Sequence, residues 1–73
     1  MISVTVIEAK SMERYPNVRV ALGINWRGAT EYKLTDSNGQ AHFDVEPVGK
    51  GQVFVNGSKK YEGYLEAQIV VFI

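Results

Sequence analysis

The chain reads as an all-β protein, a Greek-key sandwich of about seven short antiparallel strands. Three observations carry that reading: apolar residues alternate with polar ones in several short runs, Gly-, Pro- and Asn-based turn signals recur between the runs, and no stretch keeps a helical period. With 73 residues the chain forms one domain, residues 1–73, with no room for a second core. Its 45% apolar and 22% charged content belongs to a globular chain, not a disordered one.

The elements follow in order. Ile2, Val4 and Val6 alternate with Ser3 and Thr5, which makes a first strand with one buried face. Glu8 to Asn17 is polar and ends in Pro16-Asn17, a turn marker, so any helix there is short. Val18, Val20 and Leu22 form a second strand; Ile24 and Trp26 continue its buried parity, unless Gly23 and Gly28 introduce a bend or bulge.

Residues 34–45 carry the strongest local signal. Asn38-Gly39 predicts a two-residue type I′ turn, because both residues tolerate positive φ. That loop sets Leu34 opposite Phe43, Tyr32 opposite Val45, Lys33 opposite Asp44 and Thr35 opposite His42. Tyr32, Leu34, Ala41, Phe43 and Val45 then share the core face, while Lys33, Thr35, His42 and Asp44 face solvent. A three-residue loop would set Lys33 against Phe43, so an even loop is expected.

After the Glu46–Gly51 loop come a strand from Gln52 to Val55, a turn at Asn56-Gly57-Ser58, and a strand from Lys59 to Leu65. The last strand, Ala67 to Ile73, differs from the others. Ile69, Val70, Val71, Phe72 and Ile73 are apolar on both faces, and such a strand needs cover on both sides. Its second side is expected to lie under a neighbouring loop or to form an interaction surface.

Pro16-Asn17-Val18-Arg19-Val20-Ala21-Leu22, Thr35-Asp36-Ser37-Asn38-Gly39-Gln40-Ala41-His42-Phe43, Pro47-Val48-Gly49 and Val53-Phe54-Val55-Asn56-Gly57 occur in this order. The succession resembles the carboxypeptidase regulatory-like domains, a branch of the prealbumin-like, immunoglobulin-like sandwiches that includes transthyretin-like and Cna protein B-type repeats. The resemblance covers most of the chain, but its motifs are turn-and-strand patterns that unrelated sandwiches share. It implies an accessory or spacer domain of a bacterial surface or secreted protein, and hence an extracellular location. No signal peptide stands at Met1-Ile2-Ser3-Val4, so an export signal would have to lie outside this chain. The chain departs from the family in lacking a first-strand glycine and a tyrosine after the Pro-x-Gly loop. Lys10 lies beyond the first strand, and Ala67–Ile73 holds no asparagine, so the lysine–asparagine isopeptide bond of many Cna protein B-type domains is not expected.

Little chemistry is visible. There is no cysteine, hence no disulfide, thiolate site or thiol nucleophile, and no cofactor motif. His42, the one histidine, falls on a strand's outer face. Asp36-Ser37-Asn38-Gly39 opens like a calcium loop, but Pro47 stands where the bidentate glutamate belongs. Zero net charge and one basic doublet, Lys59-Lys60, argue against nucleic acid, and Ile69–Ile73 is too short to span a bilayer. The expected function is therefore non-catalytic: a structural or protein-interaction module acting through Ile69–Ile73, by a protein partner or by self-association. The alternative is a carbohydrate-binding module that stacks polysaccharide on Tyr15, Trp26 or Tyr61.

Overall fold

The structure, a computed structural model, describes residues 1–73. It is all-β, with eight strands and no helix: β1 (Ile2–Ile7), β2 (Arg19–Ile24), β3 (Gly28–Ala29), β4 (Lys33–Leu34), β5 (Gln40–Phe43), β6 (Lys50–Val55), β7 (Ser58–Tyr64) and β8 (Gln68–Phe72). One sheet has the order β5-β1-β8; the other runs β3-β2-β6-β7, with β4 on the same side of β2 as β3. The count exceeds the expected seven because of β3, a two-residue strand too short for a periodic signal.

The alternating positions meet between the sheets. Ile2, Val4, Val6, Ala41, Phe43, Ile69 and Val71 from the first sheet pack with Val18, Val20, Leu22, Val53, Val55 and Leu65 in one buried cluster. β1, β2, β5, β6 and β8 thus contribute alternate residues to a shared core, the physical basis of a two-layer protein.

Not every pairing is antiparallel. β8 lies parallel to β1, with Ser3 beside Gln68 and Ile7 beside Phe72. The chain reaches it from β7 through Leu65, buried at the crossing, and so enters the first sheet from the end where β1 starts. A parallel pair needs such a crossover, because a tight turn can join only antiparallel neighbours.

The expected hairpin across residues 32–45 does not form. Leu34 and Lys33 pair with Arg19 and Val20 of β2, whereas Gln40–Phe43 pairs with β1. The chain changes sheets at Thr35, making an arch. Thr35 is only 2% exposed, though its parity within a hairpin would point it to solvent. Its hydroxyl accepts the Val18 N–H (2.9 Å) and donates to the Tyr15 carbonyl (2.7 Å). Its backbone N–H donates to the Val18 carbonyl, and its carbonyl accepts the Asn17 N–H. Tyr32 and Leu34, expected in the core, are exposed at 57% and 60%; Leu34 pairs with exposed Arg19 of β2 and not with β5. Ala41 and Phe43 are buried and Val45 is half-buried.

The loop is also odd rather than even. Asp36 N–H donates to the Gln40 carbonyl, so Ser37-Asn38-Gly39 forms a three-residue turn, with positive φ (71°) at Gly39 and not at Asn38. Asp36 Oδ1 accepts the N–H groups of Asn38 (2.8 Å) and Gln40 (3.1 Å), so the side chain caps its own turn. A Cβ at Gly39 would approach the Val6 carbonyl to 2.9 Å, which demands glycine there in addition to the φ.

Two substitutions distinguish the arch from a hairpin. Phe43→Ala is expected to cost about 3–5 kcal/mol and Leu34→Ala less than about 0.5 kcal/mol in urea unfolding. Comparable losses at the two sites would contradict the arch. Thr35→Val, which strands a buried N–H and carbonyl, is expected to cost about 1–3 kcal/mol.

Candidate functional site

Two surfaces and one side-chain cluster stand out; the cluster adjoins the first surface, because Ser3 pairs with Gln68 of β8, and the second surface shares no residue with either. The first surface is β8. Ile69 and Val71 are buried, Ile73 is half-buried, and Val70 and Phe72 are each 51% exposed on the outer face. No loop covers that face. In a parallel ladder alternate residues bond to the neighbour. Ser3 N–H donates to the Ala67 carbonyl, Ile73 N–H to the Ile7 carbonyl, and Ala9 N–H to the Ile73 carbonyl. Ile69 and Val71 share that parity. Gln68, Val70 and Phe72 therefore direct their N–H and C=O groups to the open edge, where no strand pairs with them.

The edges of the second sheet are blunted, and β5, the opposite edge of the first sheet, is only four residues long. β3 and β4 are two residues long. β7 carries Lys59, Lys60 and Glu62, with Lys59 Nζ 3.1 Å from Glu62 Oε1. Its pairing with β6 shifts register beside Lys60, and Gly63 has φ 151°. Charges, bulges and short strands are the usual defences against unwanted pairing, and β8 has none of them.

The second surface is a cleft of about 450 Å³ at the end of the molecule where β2 finishes and β6 begins. Its local cause is a close approach of glycines. A Cβ on Gly51 would lie 2.1 Å from the Gly23 carbonyl oxygen, so β2 and β6 draw together there. Asn25 N–H then donates to the Lys50 carbonyl (3.1 Å), and Asn25 Oδ1 accepts from Gln52 Nε2 (3.0 Å). Arg27 N–H closes the turn onto the Ile24 carbonyl.

Trp26 sits in that turn with φ 72° and is completely exposed. The buried position its parity implied is thus overturned, because β2 stops at Ile24 and the chain reverses into β3. Tyr15 borders a smaller cleft with Arg14 and Pro16, near the Thr35 arch. Tyr61 is half-buried against the core, its hydroxyl donating to the Tyr64 carbonyl, and Tyr64 faces out. Neither Tyr15 nor Tyr61 lines the Trp26 cleft, so the three candidate stacking residues do not make one platform.

The cluster is Ser3, His42 and Asp36, brought together by the β1–β5 pairing. Ser3 Oγ lies 2.8 Å from His42 Nδ1, and His42 Nε2 lies 3.9 Å from Asp36 Oδ2. Sequence reading missed this grouping because Ser3 and His42 are 39 residues apart and only strand register unites them. The residue types are those of a hydrolytic triad, but the arrangement differs. The Asp–His separation exceeds hydrogen-bond reach, and the ring nitrogens face the opposite partners. The Ser3 N–H is engaged by the Ala67 carbonyl and cannot serve an oxyanion.

Asp36 is the one group whose proton affinity is clearly altered. Its carboxyl is held below its ordinary value of 3.8, chiefly by the Gln40 N–H, against opposing desolvation, with help from the Asn38 N–H and the His42 charge.

No protein family, curated protein or solved structure matches this chain.

Because the Asp36 carboxyl titrates lower folded than unfolded, its contribution is complete above the unfolded value and fades as pH falls through the lower folded one. Asp36→Asn is therefore expected to flatten the acid limb of the stability curve below about pH 4, while the gap to wild type stays constant at neutral pH. Gly51→Ala is expected to cost about 3 kcal/mol in thermal unfolding; near-neutral behaviour would refute the close approach at Gly23.

Proposed function

We propose that the chain is a non-catalytic protein-interaction module that accepts an extended strand along the open edge of β8. The observation that carries this reading is the combination at Gln68, Val70 and Phe72: unpaired main-chain groups and an uncharged edge. Val70 and Phe72 add exposed apolar side chains. Strand addition of this kind takes affinity from main-chain hydrogen bonds and selectivity from alternate side chains. Thr5 and Ile7 flank Val70 and Phe72 on the outer face, so the apolar strip is deepest at the Ile7–Phe72 end.

A second copy of β8 meets the same requirements. In an antiparallel two-fold pair centred on Val70, residue 68 faces residue 72 of the other copy. All three outward residues then find partners, and no like charges meet. The non-catalytic part of the reading is supported by Ser3, whose N–H is engaged and whose histidine is not held by Asp36. A Greek-key, prealbumin-like topology is the finer fold we propose, supported by the placement of β1 between β5 and β8 and by the chain's repeated crossing between sheets. A role as an accessory domain of a surface or secreted protein rests on the sequence resemblance alone.

The test is NMR titration of the full chain with a peptide copying Ala67–Ile73, alongside sedimentation of the chain over a wide concentration range. Shifts at the Gln68, Val70 and Phe72 amides, or a mass rising above monomer, are expected. Val70→Pro removes only an outward-facing N–H, which an edge strand tolerates, and is expected to abolish either effect while the protein stays folded. A strict monomer with unmoved amides at millimolar peptide would reject the reading.

A further inference from the structure

Trp26 carries two costs with no return inside the fold. Its φ of 72° is a conformation that suits glycine or asparagine, and a bulky side chain there is strained. Its indole, the largest apolar side chain in the protein, lies entirely in water. Strain of this kind collects at ligand sites. The indole also borders the cleft described above, whose roughly 450 Å³ falls in the usual range for ligand pockets.

The chemistry around it is uneven. Ile24 and Val45, both packed on the core, form an apolar floor. Arg27 and Lys50 line the walls; neither has an ion-pair partner, and Lys50 Nζ lies 5.0 Å from the centre of the Tyr64 ring, a contact a carboxylate would share. Glu46 is the single carboxylate in the lining, so the cleft is net cationic in a protein of zero net charge.

We infer that this cleft binds an acidic sugar: a pyranose ring stacked on Trp26, with its carboxylate held by Arg27 and Lys50. A pyranose offers a flat C–H face to the indole and a carboxylate to the cations in one residue. The indole lines the cleft and is fully exposed, which suits a sugar chain running past it. Two cations do not make the basic track that a nucleic-acid backbone needs. The cleft shares no lining residue with β8.

Trp26 is the only tryptophan, so its emission reports the site alone. Titration with galacturonate oligomers is expected to give a saturable blue shift that weakens with salt. Neutral cello-oligosaccharides and oligothymidylate serve as comparators and are expected to bind at least roughly tenfold more weakly. Calorimetry on Arg27→Ala/Lys50→Ala should show about a tenfold loss for the acidic sugar. Trp26→Gly should lose binding yet melt higher than wild type, since glycine relieves the φ. Equal binding of neutral sugars or of oligothymidylate, no binding at millimolar galacturonate, or full binding by Trp26→Gly would each overturn the inference.

Discussion

Thr35 is the constraint on which this architecture depends. It is the one buried polar residue, and its backbone and hydroxyl make four hydrogen bonds to the segment that leads into β2. Those bonds fasten Leu34 to one sheet and release Gln40 to the other. Without them the local preference of a strand–turn–strand segment would be to pair with itself. Burying a hydroxyl is favourable only when both its donor and acceptor roles are satisfied, and here the Val18 N–H and the Tyr15 carbonyl satisfy both. The Asp36 cap and the Gly39 φ then turn the chain onto the β1 edge.

The arch has consequences at a distance. Because β5 belongs to the first sheet, β1 becomes its central strand, with β5 on one side and β8 on the other. That arrangement brings His42 beside Ser3 and leaves β8 at an edge. The second sheet ends in strands that are short, charged or bulged, and the first sheet ends in four-residue β5 on one side and in β8, with five uncharged residues, on the other. The contrast between edges, more than hydrophobicity alone, singles out β8 as the surface for strand addition.

Much of the fold was legible in the chain. Alternation identified Ile2, Val4, Val6, Val18, Val20, Leu22, Ala41 and Phe43 as inward-facing, and the structure buries each of them. It failed at Tyr32, Leu34, Thr35 and Trp26, all placed by assuming that a strand continues or pairs with its nearest neighbour. The candidate surfaces were legible in part. Ile69–Ile73 was identifiable as apolar on both faces, but its free edge depends on which strands lie beside it. Trp26 was visible as a residue type, but its exposure follows from a three-residue turn that β-parity cannot signal.

The amino-acid sequence by itself determined the all-β character, the parity of most strands and the absence of thiol chemistry, because these depend on local alternation, turn residues and composition. Only the tertiary structure decided the pairing partners. Backbone hydrogen bonds carry no side-chain identity, so a strand's own residues do not name its neighbour. Thr35 supplies that information through four long-range hydrogen bonds, and the arch and the Ser3–His42 contact follow from it.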